Sequence, residues 1–177
     1  MTVIAGYTNG KTWAIAADSG IFEGGDYDGD EGSGLYWEDP VSKIWQKDDS
    51  LIGAAGDVAA CELAQSSTSG DPYKILAYMK ASEPRLENWN VLVVTKKEIF
   101  YLSDDYSVSR FKRGYMTIGA AGGVALGALA VSAEMGQSPK DAVRLAVKVT
   151  IANHLYAVGP IKVKSLGEET KKKEINA

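Results

Sequence analysis

The chain has 177 residues, of which 45% are apolar and 24% charged, a composition typical of one globular domain spanning 1–177. Its net charge of −4 and isoelectric point near 5.1 argue against nucleic acid or an anionic membrane as a partner. A single cysteine rules out an intramolecular disulfide. Because the sequence shows neither a signal-peptide pattern nor an apolar run of membrane-spanning length, we expect a cytoplasmic location.

The first predicted element is a β-hairpin, because Asn9-Gly10 is the dipeptide that type I′ turns favour. With these two residues as the loop, the strands cover about residues 2–7 and 12–18. Thr2 then pairs with Ala17. Asp18 lies one residue further along, beside the beginning of the chain.

Thr2 and Asp18 together have the parts of an N-terminal nucleophile. Once Met1 is removed, Thr2 carries a free α-amine and a β-hydroxyl close to a carboxylate. In enzymes of this kind the amine acts as general base for the hydroxyl of the same residue. The structural alternative is an ordinary strand threonine followed by a turn aspartate.

Residues 19–40 are rich in Gly and Asp and are predicted to form a long acidic surface loop. Its centre, 26–32, partly matches a calcium-binding loop. However, Glu31 stands where the tight-turn glycine belongs, and Trp37 stands where the closing glutamate belongs. We therefore favour a solvated loop, with no metal and no cofactor.

The rest of the chain alternates strand pairs with helix pairs. Strands are predicted at about 41–46, 51–55, 90–95, 99–103, 115–118 and 161–165, helices at 57–65, 71–82 and 123–135 and after Ser138, and a charged tail at 167–177. Blocks of this kind favour antiparallel sheets over parallel crossovers. The sequence predicts an α+β fold, a four-layer αββα sandwich of two antiparallel sheets flanked by helix pairs.

Lys43 and Gly53 in the second strand pair are candidates for the same site. A lysine in a strand either protects a sheet edge or contacts acidic partners. A cation about 4 Å from the Thr2 α-amine, whose usual pKa is about 7.7–8.0, opposes protonation by up to ~4 kcal/mol. Gly53 is interpreted as a strand end whose N–H stabilises an oxyanion, or as a small residue that permits close packing.

Five segments, taken in order, resemble proteasome β-type peptidases, and the similarity runs from Thr2 to about Ser165. The simple bacterial or phage single-subunit members, HslV-like, are the most similar. The segments are Thr2-Val3-Ile4-Ala5, Ala16-Ala17-Asp18, Ser42-Lys43-Ile44, Ile52-Gly53-Ala54-Ala55-Gly56-Asp57 and Ile118-Gly119-Ala120-Ala121-Gly122-Gly123.

This resemblance implies a threonine peptidase with the N-terminal-nucleophile hydrolase fold. It implies Thr2 as nucleophile, Asp18 and Lys43 as its charge partners, Gly53 as oxyanion donor, and Leu51 as the floor of the specificity pocket. It also implies a homo-oligomer of two stacked rings that cleaves peptides or unfolded proteins, with an ATP-dependent unfoldase as a possible partner.

Two positions depart from the family pattern. The family places a serine where this chain has Ala120-Ala121, and an aspartate where it has Thr150-Ile151-Ala152-Asn153-His154. We interpret His154 as a helix-end or core histidine and not as a catalytic one. The departures keep two alternatives open: a weakly active or inactive ring protein with a scaffold role, and a small-amide hydrolase.

Overall fold

The computed structural model describes residues 2–23, 35–38, 42–83, 85–154 and 157–167, with the backbone alone for 21–23 and 35–38. Eleven strands and four helices lie in these ranges. The strands are β1 Ile4–Thr8, β2 Thr12–Ala17, β3 Gly20–Glu23, β4 Leu35–Glu38, β5 Ile44–Lys47, β6 Ser50–Gly56, β7 Trp89–Val94, β8 Ile99–Ser103, β9 Val108–Phe111, β10 Tyr115–Ile118 and β11 Lys162–Gly167. The helices are α1 Val58–Ser66, α2 Pro72–Ser82, α3 Gly122–Glu134 and α4 Pro139–Asn153.

The strands form two large antiparallel sheets and one small one. The first large sheet has the order β10-β1-β2-β11, and the second has the order β5-β6-β7-β8-β9. The small sheet pairs β3 with β4. Every pairing is antiparallel, as the alternation of strand and helix blocks predicted.

Three buried clusters define four layers. One lies between the first sheet and the α3–α4 pair and includes Ala5, Ala14, Leu129 and Val143. A second lies between the two sheets and includes Ile4, Ile15, Leu92 and Val94, and a third joins the second sheet to α1 and α2. The predicted four-layer αββα sandwich is confirmed.

Capping residues begin the helices as the sequence indicates. The Asp57 carboxylate accepts from the backbone N of Ala60 at the start of α1, and Asp71 accepts from Tyr73 and Lys74 at the start of α2. Side-chain acceptors of this kind satisfy backbone donors that lack a partner within the helix. These caps therefore fix where α1 and α2 begin.

The register of the first hairpin differs from the predicted one. Asn9 N donates to Thr12 O at 3.2 Å, so the loop residues are Gly10-Lys11, and Ile4 pairs with Ala17. Gly10 has φ +82° at the first loop position, the pattern of a type II′ turn. The Asn9 side chain stabilises this turn, because its Oδ1 accepts from the N of Lys11 and Thr12 at 3.0 and 2.9 Å.

Two strand predictions also need correction. The segment 19–40, predicted as loop throughout, contains β3 and β4. A four-residue edge strand with exposed Ser109 and Arg110, β9, is not predicted from the sequence. The calcium-like stretch 26–32 and the tail after Gly167 lie outside the described residues.

The sandwich has two distinct ends. Trp13 Nε1 donates to Asp49 O at 3.1 Å, and Thr8 Oγ1 donates to Lys96 O at 2.7 Å. The β1–β2, β5–β6 and β7–β8 turns therefore share one end, which we name the turn end. Thr2, where the chain enters β1, lies at the opposite end, which we name the site end. No helix in the described ranges is long and apolar enough to cross a membrane.

Close contact of the sheets at Gly6 gives a stability prediction. A Cβ at Gly6 would lie 2.5 Å from Val94 Cγ2 and 2.9 Å from Leu92 Cδ2. Overpacking of this kind costs about 1–3 kcal/mol, and 1 kcal/mol lowers Tm by about 2–4 °C at this size. We expect Gly6→Ala to lower Tm by about 2–12 °C in thermal unfolding. Gly123→Ala is the control, because its Cβ meets no atom within 4 Å; equal Tm values for the two variants would contradict the prediction.

Candidate active site

A buried ion pair joins the two sheets at the site end. Lys43 Nζ lies 3.1 Å from Asp18 Oδ1, and the side chains are 9% and 0% exposed. Lys43 immediately precedes β5, and Asp18 immediately follows β2. The lysine ammonium also donates to Gly20 O, so a carboxylate and a carbonyl together fix its position.

The same carboxylate holds the beginning of the chain. Val3 N donates to Asp18 Oδ1 at 3.0 Å, and Asp18 N donates to Val3 O at 3.3 Å. Asp18 thus lies opposite Val3, two residues from its predicted partner position, which is residue 1. Thr2, which is partly buried, is one residue from a backbone that the ion pair fixes directly.

Gly119 contacts Thr2 from the other side. Gly119 lies between β10 and α3 with φ +91°, and a Cβ there would lie 2.0 Å from Thr2 O. Only glycine permits both that conformation and that close contact. Ala120 and Ala121 come next, and Ala121 is the N-cap of α3 without a side-chain hydrogen bond. The turn therefore brings a backbone, but no hydroxyl, to the first residues of the chain.

The segment between α4 and β11 fixes the Gly20 carbonyl, which accepts a hydrogen bond from Lys43 Nζ. Ser19 N and Gly20 N both donate to Val158 O, at 3.3 and 3.1 Å, and Ser19 Oγ donates to Pro160 O at 2.5 Å. These bonds tie Gly20, and with it the acceptor of the lysine ammonium, to the chain between α4 and β11. This support cannot be predicted from the sequence, because any residue type supplies a backbone acceptor.

The structure does not bring Gly53 to the site in its predicted role. Gly53 lies in the middle of β6, paired with Ile44 and Leu92, and a Cβ there would meet Ile4 and Ile15 between the sheets. Ala54 N donates to Lys43 O at 3.1 Å. Because successive N–H groups point to opposite sides of a strand, that of Gly53 points into the pairing with β7. It is not available to an oxyanion.

Gly56 has the strand-end position that was assigned to Gly53. It ends β6, is exposed, and has φ +112°. Successive N–H groups of a strand alternate in direction, so the N–H of Gly56 points to the same side of β6 as that of Ala54, the side on which β5 lies. Gly53 and Gly56 are equally good candidates for an oxyanion donor when only the sequence is known. The pairing of β6 with its neighbours shows which of the two N–H groups is already directed at a strand.

Leu51 is likewise away from Thr2. It is fully buried between the sheets and pairs with Gln46 and Val94. It follows the β5–β6 turn, whose Asp49 carbonyl contacts Trp13 at the turn end. A side chain in this position cannot form the floor of a pocket at the site end, so the predicted role of Leu51 is not supported.

Two further observations limit the chemistry of the site. His154 is the C-cap of α4, and its carbonyl accepts from Ala157 N at 3.3 Å. In the described ranges no group of three or more His, Cys, Asp and Glu side chains could hold a metal ion. The residues gathered near Thr2 are an ammonium, a carboxylate and backbone groups, which suit proton transfer and stabilisation of an anion.

The sandwich has the fold of N-terminal-nucleophile hydrolases, as comparison with solved structures shows. HslV from Trypanosoma brucei superposes with a TM-score of 0.72 at 18% identity, over 94% of this chain and 99% of that one. BPH of Thiobacillus denitrificans in complex with epoxomicin gives a TM-score of 0.72 at 20% identity, over 94% and 98%. A second structure of Thiobacillus denitrificans BPH gives a TM-score of 0.70 at 17% identity, over 96% of this chain and 100% of that one. The sequence itself matches no protein-family model and no curated protein.

Removing the lysine of the buried pair should destabilise the fold. Lys43→Met leaves a fully buried carboxylate without its cation, which typically costs about 3–5 kcal/mol. At about 2–4 °C per kcal/mol, we expect Tm to fall by about 6–20 °C in thermal unfolding. Arg110→Met is the control, because it breaks the exposed Arg110–Glu98 pair, of a kind worth about 0–1 kcal/mol. An equal decrease in Tm in both variants would show that the Lys43–Asp18 pair does not stabilise the fold.

Proposed function

We propose that this protein is a threonine peptidase that uses Thr2 as an N-terminal nucleophile after Met1 is removed. The observation that carries the proposal is the buried Lys43–Asp18 pair, hydrogen-bonded directly to the backbone N of Val3. The fold shared with HslV supports it. Thr2, Asp18 and Lys43 come from three separate segments, and the fold brings those segments together at one end.

In the proposed reaction the α-amine of Thr2 accepts the proton of its own hydroxyl, and Oγ1 attacks the substrate carbonyl. The proton then passes to the leaving amine, and the peptide C–N bond breaks to give an ester on Thr2. Water hydrolyses this ester and restores the hydroxyl. The Lys43 ammonium favours the neutral amine and stabilises the developing charge, and the N–H of Gly56 replaces Gly53 as the proposed oxyanion donor.

The proposed assembly is a homo-oligomer of two stacked rings with peptides or unfolded proteins as substrates. An exposed face of α3 supports contact between copies: Val131 and Met135 are 60% and 72% exposed, and Gly123 and Gly127 leave room beside them. Exposed apolar surface of this kind is typical of protein contacts. An ATP-dependent unfoldase is the proposed source of unfolded substrate, and the cytoplasm is the proposed location.

A catalytically silent ring protein is the second candidate. Ala121 caps α3 without a side-chain hydrogen bond, and Ala120 precedes it, so the turn beside Thr2 offers no hydroxyl. No carboxylate occurs between Thr150 and His154. A protein with this turn could keep the sandwich and its subunit contacts without turnover. Peptide hydrolysis by the processed protein distinguishes the two functions.

Hydrolysis should depend on the Thr2 hydroxyl and on the removal of Met1. We expect processed protein to cleave fluorogenic peptides, Thr2→Ser to keep part of the rate, and Thr2→Ala to lose it, with intact mass confirming each N-terminus. Epoxomicin, which binds the related fold of BPH, should bind the wild type and not Thr2→Ala. The control Thr12→Ala, at the start of β2, should keep full activity. Hydrolysis by Thr2→Ala, or by protein that retains Met1, would contradict the mechanism.

The exposed face of α3 should be needed for assembly. We expect light scattering at micromolar concentration to show a particle of many subunits for the wild type. Val131→Asp should give smaller particles, because burying an unpaired charge in a contact is costly. Val58→Asp is the control, since Val58 is similarly exposed, at 56%, but lies on α1. A monomeric wild type would overturn the proposed rings.

A further inference from the structure

A polar cavity lies at the turn end of the sandwich, away from the candidate active site. It has a volume of about 450 Å³ and forms where the β1–β2, β7–β8 and β9–β10 turns meet the end of α3. Thr8 holds these turns together, because its N donates to Gly114 O and its Oγ1 donates to Lys96 O, both at 2.7 Å. The walls of the cavity are therefore fixed, and its volume lies in the range of about 300–1,000 Å³ that is typical of small-molecule sites.

The side chains that line this cavity carry an excess of positive charge. They include the three cations Lys97, Lys112 and Arg113, and one carboxylate, that of Glu134, so their net charge is +2. Within the described ranges none of the three cations forms an ion pair. The chain as a whole has a net charge of −4. A positive concave surface on an acidic protein attracts anions.

The guanidinium of Arg113 is held in place within this positive surface. Its central carbon lies 5.5 Å from the ring centroid of Phe111 and 5.3 Å from that of Tyr115, and its Nε donates to Tyr115 O at 3.1 Å. Nη2 also contacts the sulfur of Met116, which is a weak acceptor. The other N–H groups of the guanidinium can therefore bind an oxyanion with little loss of side-chain freedom.

Tyr7 brings a buried hydroxyl to the same cavity. The residue is only 9% exposed, and its ring packs edge-on against Tyr115 with 6.4 Å between the centroids. Its Cε2, next to the carbon that bears the hydroxyl, lies 4.0 Å from the position of a Cβ on Gly114. In the part of the chain that the structure describes, this hydroxyl forms no hydrogen bond. Burial raises the pKa of Tyr7 above its usual range, so the hydroxyl keeps its proton and can donate.

We propose that the turn-end cavity binds the phosphate group of a small phosphorylated molecule. A phosphate monoester carries a charge of about −1.5 to −2 at pH 7 and three strong acceptor oxygens. It therefore matches the net charge of the cavity, whereas a carboxylate compensates only half of it. Arg113 and the Tyr7 hydroxyl donate to the phosphate oxygens, Lys97 and Lys112 balance their charge, and the remaining volume holds the organic part of the molecule.

This site is separate from the proposed peptidase, because the cavity and Thr2 lie at opposite ends of the sandwich. Isothermal titration calorimetry of the full chain tests it with three probes: glycerol 3-phosphate, inorganic phosphate and acetate. We expect glycerol 3-phosphate to bind more tightly than inorganic phosphate and about tenfold or more tightly than acetate, which carries one charge less. Binding should weaken as the salt concentration rises, because the cations are exposed.

Two substitutions remove the donors of the cavity. Tyr7→Phe keeps the ring and its contact with Tyr115 but removes the hydroxyl, and Arg113→Gln removes the guanidinium. Each should raise the Kd of glycerol 3-phosphate about tenfold or more, as the loss of a hydrogen bond to a charged group does. The matched controls Tyr73→Phe on α2 and Arg144→Gln on α4 make the same chemical changes at exposed residues outside the cavity. They should leave the Kd unchanged.

Glu134→Gln should act in the opposite direction, because it removes a negative charge that repels the phosphate. We expect the Kd of glycerol 3-phosphate to fall about twofold or more, as for a unit charge roughly 8 Å away in water. This variant and Arg113→Gln change exposed residues, so they decide the question even if Tyr7→Phe does not fold.

The proposal is overturned if glycerol 3-phosphate does not bind at millimolar concentration, if acetate binds as tightly, or if Arg113→Gln leaves the Kd unchanged. None of these measurements uses peptide hydrolysis. A protein that binds glycerol 3-phosphate but cleaves no peptide would contradict the peptidase and support this site. A protein that cleaves peptides without binding glycerol 3-phosphate would do the reverse.

Discussion

The ion pair between Lys43 and Asp18 is the contact through which the two sheets fix the start of the chain. Desolvation of two charges is expensive, and a buried pair is tolerated when its geometry is good and further hydrogen bonds complete it. Here Val3 N and Gly20 O supply those bonds, so each partner is tied to backbone as well as to the other. Val158 and Pro160 hold the Ser19-Gly20 backbone in turn. The site is thus a set of backbone positions fixed around one pair of charges.

The sequence predicts those parts of this arrangement whose pattern lies within a few neighbouring residues. Thr2, Asp18 and Lys43 are candidates from the sequence because a hairpin turn and a charged residue in an apolar strand are visible within a few residues. The role of Leu51 is one that the resemblance implies, and Gly53 is a candidate because a strand's composition does not show which N–H faces which neighbour. That depends on the pairing of β6 with β5 and β7, which involves residues as far apart in the chain as Leu51 and Val94.

The first hairpin and the 19–40 segment show two other limits. Asn9-Gly10 correctly marks a turn, but the Asn9 side chain also bonds to the N of Lys11 and Thr12, which favours the loop one residue later. The glycine and aspartate content of 19–40 predicts a loop, whereas pairing between β3 and β4 overrides that local preference. The starts of α1, α2 and α4 are predictable from the sequence, because the side chains of Asp57, Asp71 and Ser138 cap these helices.

The Gly10-Lys11 turn also has a consequence for the chain's tolerance of insertions and deletions. Side chains alternate between the faces of a strand, so a shift of one residue would direct Asp18 away from Lys43 and towards the opposite face. The turn that sets this register is separated from Asp18 by the six residues of β2, roughly 20 Å of strand. Length changes within β1 or β2 should therefore survive in related sequences only in steps of two residues. The Gly10-Lys11 turn, at one end of the sandwich, thus determines which way the Asp18 side chain points at the other end.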